Sequence, residues 1–357
     1  MKPLIRLFTA ACISLLLLSC APAPKVHKQT VYVFGTLVSL SAYTTDVLGF
    51  EKAVAELDTT FQRMHRDWHA WKGEGQLVML NRAIARGESH QVDEFLLPLL
   101  QQSKLFATQS GDLFNPAIGG LIALWGFHND EPPGGAPPLP EAIASKVKLK
   151  PSMGDLVIEG AQVSSLNPAV SIDLGAYAKG YALNLAVKQL GAAGFANTIV
   201  NAGGDLCVAG QPGDRPWRIG VRHPQGNGVL ASLAVADGEC VLTSGNYERY
   251  REYEGIRYAH IIDPRSGYPV QHVASATVIA RDGGLADAAA TALSVAGPDK
   301  WIDVSRAMGL TQVMLVDEHG TVYMTPEMDA RARFEIEPDQ KRVESTKESL
   351  INSGLDE

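Results

Sequence analysis

Asp287 and Thr291 lie four positions apart in a run of small apolar residues, Asp282-Gly-Gly-Leu-Ala-Asp-Ala-Ala-Ala-Thr-Ala-Leu-Ser-Val-Ala296. The run has high helix propensity, and at spacing i, i+4 the two side chains share one helix face. A carboxylate and a hydroxyl converging among alanines suit a hard cation such as Mg²⁺, which takes oxygen ligands and completes its shell with substrate phosphates. Ala286 to Ala290 are too small to keep a ligand away. The same residues also admit a structural account, in which Asp287 caps the helix and Thr291 bonds back to the carbonyl four residues before it.

Other polar residues stand at turns. Asp173 closes a strand-like segment and Lys179 opens the helix that follows. An acid and a base at such a junction fit either hydrogen bonding to a polar ligand or an ion pair between themselves. His260 sits on a strand two apolar residues before Asp263-Pro264, where it could act as a general base or satisfy its ring nitrogens internally. Thr243 and Ser244 stand at a turn without the His/Asp context that makes a nucleophile. Asn201-Ala-Gly-Gly-Asp205 is a glycine turn between strands, not a dinucleotide fingerprint, because no helix follows it. Trp71, in a loop, could be a stacking residue or a surface anchor.

The elements that must position these groups alternate between helix and strand. Val31 to Tyr43 reads as a strand interrupted at Phe34-Gly35-Thr36. Leu48 to Trp68 is an amphipathic helix, with Phe50, Val54, Leu57, Phe61, Met64 and Trp68 on its apolar face. Helices are expected over Leu77 to Asn81, Glu94 to Gln109 and Lys300 to Met308. Strands are expected at Leu156 to Val163, Trp217 to His223, Leu230 to Ala236 and Ala274 to Ala280, with a hairpin over Gln312 to Met324. His128 to Pro140 is a loop rich in proline and glycine.

The 357 residues exceed what one simple core needs, and no tandem repeat appears. A net charge of −8 argues against nucleic acid as a partner. Lys2, Arg6 and the apolar run ending Leu15-Leu-Leu-Leu-Ser-Cys20 form a targeting segment too short for an ordinary membrane span. Leu17-Leu-Ser-Cys20 resembles the bacterial lipobox. That resemblance implies a signal peptide over 1–19, a lipidated Cys20 and a tether over 20–29. It further implies anchoring in the cell envelope facing the periplasm, in the outer membrane in preference to the inner. One globular domain, either one large core or two intimate subdomains, is expected over 30–336 and a charged, mobile tail over 337–357. Cys207 and Cys240 lie in strand-like surroundings, and export permits a bridge, but buried free thiols fit equally.

Eight blocks occur together in order: Phe34-Gly-Thr, Trp71-Lys, Leu113-Phe-Asn with Leu124-Trp-Gly-Phe, Ile172-Asp-Leu-Gly-Ala-Tyr-Ala-Lys-Gly-Tyr181, Asn201-Ala-Gly-Gly-Asp205, Thr243-Ser-Gly-Asn-Tyr, His260-Ile-Ile-Asp-Pro-Arg-Ser-Gly and Ala286-Asp-Ala-Ala-Ala-Thr-Ala. Together they resemble the FAD:protein FMN transferase, or ApbE, family. The resemblance implies an α+β fold of two intimate subdomains with FAD in the cleft between them. It implies Mg²⁺ on the Asp287 and Thr291 side chains and on main-chain oxygens near Ala176 and Ala290. FAD would meet Phe34, Trp71, Leu113, Phe114, Asn115, Asp173, Lys179 and Ile262, and His260 would be the candidate base, held by the Asp263-Pro264 turn. The implied reaction moves FMN from FAD to a Thr or Ser hydroxyl of another protein and releases AMP. The acceptors would be flavin-carrying subunits of membrane redox complexes, of the sodium-pumping NADH:quinone reductase or Rnf type. The chain departs from the family in having Asn115-Pro116 where Asp-Val or Asp-Pro is common, Lys179 where some members have Glu, and Trp71 for a frequent Tyr. A metal-dependent FAD diphosphatase and a non-catalytic FAD-binding lipoprotein are the competing readings.

Overall fold

The structure is a computed structural model and describes residues 23–129, 131 and 134–347. The signal peptide over 1–19, Cys20 and the first tether residues lie outside that range, as do residues 348–357 of the expected tail.

A nine-stranded sheet forms the spine. Its spatial order is Lys25–Val33, Thr36–Thr44, Thr198–Ala202, Asp205–Ala209, Cys240–Gly245, Val273–Ala280, Val313–Asp317, Val322–Met324 and Lys341–Val343. Every neighbouring pair is antiparallel except the last, which is parallel. Strand alternation gives the sheet two apolar faces. On one face Leu40, Val200, Cys207, Leu242, Ala276, Val278 and Leu315 join the main core. The helices Val47–Trp68, Ala178–Ala192, Gly283–Ala296 and Trp301–Ala307 cover that face. On the other, Leu206, Val208, Val241, Ile279, Met314 and Val316 pack with Trp217, Val221 and Leu233. Those three belong to a second sheet, of Trp217–Arg222, Val229–Val235 and Arg333–Phe334. A third small core gathers Ile118, Leu121, Trp125, Phe127, Ile143 and Ile262.

Several expectations change: Leu156–Glu159 and Gln162–Ser165 are two strands where one was expected, and Thr243 and Ser244 lie inside the strand Cys240–Gly245 and not at a turn. Val31 to Tyr43 is not one interrupted strand but parts of two, folded back at Phe34 and Gly35, whose φ values are 56° and 73°. Two successive positive φ values make the two-residue turn that matches strand twist, and Phe34 is a bulky residue for that conformation. The first strand begins at Lys25, so it includes residues assigned to the tether. Lys341–Val343 adds an edge strand inside the segment expected to be a mobile tail.

The helix Val47–Trp68 buries the six apolar residues that its periodicity marks out. Among the described residues no helix is long and apolar enough to cross a membrane.

Candidate active site

The helix Gly283–Ala296 enters through Asp282, whose side chain accepts the Leu285 N–H at 3.1 Å. Asp282 therefore caps the helix, and Asp287 is left for other work. Asp287 is buried, and its Oδ2 accepts the Gly180 N–H at 2.8 Å, while Oδ1 has no hydrogen-bond partner among the described residues. Burial and the nearby Asp205 charge hold the Asp287 carboxyl well above the usual carboxylate range, against Lys179 and the Gly180 N–H. Thr291 does not bond back along its helix. Its hydroxyl lies 3.3 Å from Ser244 Oγ on the neighbouring strand. Both parts of the structural account of this pair are thus replaced by tertiary contacts.

Glycine makes this approach possible. The helices Ala178–Ala192 and Gly283–Ala296 cross at Gly180 and Gly283. A Cβ on Gly180 would stand 2.0 Å from the Gly283 carbonyl oxygen, and one on Gly283 would stand 2.4 Å from that of Gly180. Beneath the crossing lies a disulfide between Cys207 and Cys240, directly paired residues of adjacent strands with Cα atoms 3.9 Å apart. The question that composition left open is settled in favour of the bridge.

The fit of a divalent cation rests on oxygen donors. Among the described residues no group of three or more His, Cys, Asp or Glu side chains is placed to hold a metal. A hard cation here would therefore draw on Asp287, Thr291, main-chain oxygens and the substrate itself, which is the donor set such an ion prefers. The unpartnered Oδ1 of a buried carboxylate fits that role. The Ala290 carbonyl already accepts the Ser294 hydroxyl at 2.8 Å, which makes it a weaker candidate than Ala176, in the loop before Ala178–Ala192.

Asp173 and Lys179 do not pair with each other. Asp173 Oδ2 accepts the Trp71 indole N–H at 2.6 Å and its Oδ1 accepts the Gly175 N–H at 2.7 Å. Trp71 is thus a fixed aromatic wall, with His128 beside it at 5.2 Å between ring centres. Lys179 pairs instead with Asp205. Burial opposes its charge, yet Asp205, Asp287 and Glu248 together hold the ammonium above the ordinary lysine range. Burial raises Glu248 to about 7, with Lys179 pulling the other way.

The remaining expected contacts are uneven. Phe34 sits at its hairpin turn, half-buried, edge-on to Phe61 at 5.5 Å. Its turn adjoins the Asn201-Ala-Gly-Gly-Asp205 turn, where a Cβ on Gly203 would lie 3.2 Å from Thr36 Oγ1. Leu113 packs partly against the main core and Phe114 is buried in it, so the Phe114 ring offers no face to a ligand. Asn115 is occupied at both ends, by the Pro151 carbonyl at 2.9 Å and the Ala117 N–H at 3.0 Å. Ile262 is buried in the third small core. For Phe114, Asn115 and Ile262 a ligand contact falls to the main chain.

His260 is anchored differently from the expectation. Asp263 pairs with Arg265, and His260 is held by Arg249, whose carbonyl lies 3.1 Å from Nδ1 and also accepts the His260 N–H. A carbonyl only accepts, so Nδ1 carries the ring proton and Nε2 keeps its lone pair. Burial holds the imidazole down to about 4, the carbonyl bond working the other way. At neutral pH it is a neutral base.

Sequence alone assigns no role to Asp205 or Ser244. Asp205 follows a Gly-Gly turn and begins a strand, which is the one local signal that marks it.

A largely antiparallel nine-stranded sheet with helices packed on one face and a second small sheet on the other defines the class, an α+β protein. The ApbE family model matches residues 34–315, and the chain belongs to the ApbE family. It is 46% identical over 317 residues to a FAD:protein FMN transferase of Rhodobacter capsulatus, covering 87% of this chain but 59% of that longer relative. It is 32% identical over 302 residues to the FAD:protein FMN transferase of Treponema pallidum, covering 79% and 82% of the two. Its fold is similar to the crystal structure of the ApbE protein of Thermotoga maritima, with a TM-score of 0.78 at 30% identity over 87% of this chain and 100% of that one. The apo flavinyl transferase ApbE of Pseudomonas stutzeri gives a TM-score of 0.76 at 26% identity, over 86% and 97%.

Proposed function

We propose that this chain transfers FMN from FAD to a Thr or Ser hydroxyl of a target flavoprotein, releasing AMP, with Mg²⁺ as its cation. The observation that carries the reading is the Asp287 carboxylate, buried, gripped on one oxygen by Gly180 and unpartnered on the other, one helical turn from Thr291. A bound Mg²⁺ would supply charge neutralisation along the FAD diphosphate. The residues of the chain do the rest. Asp287 and Thr291 would hold the ion, and Gly180 and Gly283 let the two helices that carry the site approach closely. Asp173 fixes the Trp71 ring, which would lie against a ring of FAD. His260 takes the acceptor's hydroxyl proton on Nε2 as the oxygen attacks the FMN-side phosphorus. The bond from that phosphorus to the AMP oxygen breaks, and AMP leaves with the electron pair.

The resemblance of Leu17-Leu-Ser-Cys20 to a lipobox supports lipid anchoring at Cys20 in the cell envelope, facing the periplasm. Acceptors in membrane redox complexes of the sodium-pumping NADH:quinone reductase or Rnf type would be within reach of a protein so placed.

The test is AMP release from FAD with Mg²⁺ or EDTA, with and without an acceptor protein carrying a candidate Thr, read beside in-gel flavin fluorescence. Mg²⁺-dependent AMP with a fluorescent acceptor is the expected result. AMP with no labelled acceptor would move the reading to a diphosphatase, and bound FAD with no AMP to a binding protein.

A further inference from the structure

Lys179 sets a positive charge beside the carboxylate on which cation binding depends. The next residue, Gly180, donates its N–H to Asp287 Oδ2 at 2.8 Å, so the lysine is attached one residue from that group. An ammonium on a flexible four-carbon stem is a ready partner for the unpartnered Asp287 Oδ1. A buried pair of that kind would occupy the oxygen a divalent ion needs. The ammonium lies instead on Asp205 Oδ2. Asp205 is well placed to keep it there. It is 3% exposed, and its Oδ1 accepts the Thr243 N–H at 2.9 Å. Two residues along, the Cys207–Cys240 disulfide joins its strand to the one that carries Thr243 and Ser244. The counter-ion of Lys179 is therefore fixed to the sheet, and Asp287 is fixed to the helix pair above it.

We propose that Asp205 is a positioning residue that holds Lys179 off Asp287 and so keeps the Asp287 carboxylate open to a divalent cation. The proposal rests on reading Asp287 and Thr291 as cation ligands. It separates two ways in which an acid near a metal site can help. Asp205 could add its own negative field, or it could remove a competing ammonium, and only the second needs Lys179.

The experiment is Mn²⁺ binding to the full chain, read by the electron paramagnetic resonance of free Mn²⁺ with no FAD and no turnover. It is run on wild type, Asp287→Asn, Asp205→Asn, Lys179→Met and the Asp205→Asn/Lys179→Met pair. Wild type binds and Asp287→Asn does not. Asp205→Asn weakens binding by about tenfold, the order expected when a unit charge at contact distance competes for a partly screened site. In the Lys179→Met background Asp205→Asn has no further effect. An equal loss in both backgrounds, or no loss in either, overturns the proposal while leaving the cation reading standing. Wild-type protein that binds no Mn²⁺, or Asp287→Asn that binds it unchanged, overturns the cation reading and the proposal with it. Lys179→Met alone leaves the strand untouched and keeps the test open if Asp205→Asn fails to fold. Its affinity stays level or tightens, and a weaker one overturns the proposal.

Discussion

Gly180→Ala tests the helix crossing on which the candidate site depends. The added methyl would stand 2.0 Å from the Gly283 carbonyl oxygen and 2.8 Å from Asp287 Cβ. The first obstacle is backbone and cannot rotate away, so the helices Ala178–Ala192 and Gly283–Ala296 must part by roughly 1 Å or more to restore ordinary contact. Overpacking of this kind costs about 1–3 kcal/mol. Alanine offsets part of it, since it is about 1 kcal/mol better than glycine inside a helix. The net loss expected is about 0–2 kcal/mol, and the shift also takes the Gly180 N–H off Asp287 Oδ2. Gly191→Ala is the control, because Gly191 lies in the same helix and a Cβ there meets nothing within 4 Å. Removing glycine there should stabilise by about 0.5–1 kcal/mol. Urea unfolding followed by tryptophan fluorescence gives both stabilities, and Mn²⁺ binding reports the site. Gly180→Ala as stable as Gly191→Ala, with unchanged Mn²⁺ affinity, would refute the close crossing and the argument built on it.

Trp71→Phe keeps an aromatic ring but loses the N–H that Asp173 accepts at 2.6 Å. A hydrogen bond to a charged group is worth about 1.5–3 kcal/mol, so the KM for FAD should rise by an order of magnitude or more while kcat stays within about twofold. A fall in kcat at constant KM would place the indole elsewhere. Because burial holds His260 down to about 4, this histidine should add no step to the pH profile of transfer between pH 5 and 7, where an ordinary histidine would titrate. A loss centred near 6.5 that His260→Ala abolishes would contradict this. The unfolded chain protonates that ring first as pH falls, so the group's contribution to stability is present above about 6.5 and declines towards about 4. Cys207→Ala/Cys240→Ala removes a bridge spanning 33 positions and should cost about 3–4 kcal/mol on the chain-entropy account. Dithiothreitol should lower the urea midpoint of wild type and leave that of the double variant unchanged, and equal effects on both would argue against the bridge.

The sequence alone determined what depends on neighbours along the chain. The helix Val47–Trp68 and its buried stripe follow from apolar residues at helical spacing. The shared face of Asp287 and Thr291 follows from an i, i+4 interval in a helix-forming run. Eight blocks in order carried the family resemblance, and six of them combine glycine with polar residues. Phe34-Gly35 shows the local limit: the alternation before and after it is one pattern, and only two left-handed residues in succession reveal that the chain reverses there. Tertiary structure decided the partners. Trp71 and Asp173 are 102 positions apart, Lys179 and Asp205 are 26, and Gly180 and Asp287 are 107. An acid and a base close in sequence, Asp173 and Lys179, could have paired, and the packing of a distant loop and a distant strand gave each a different neighbour. Strand register set Cys207 opposite Cys240, and in a separate hairpin it set the Arg249 carbonyl against His260. Which side chains meet across a sheet or between crossing helices depends on how distant segments align, and local propensity carries no record of that alignment.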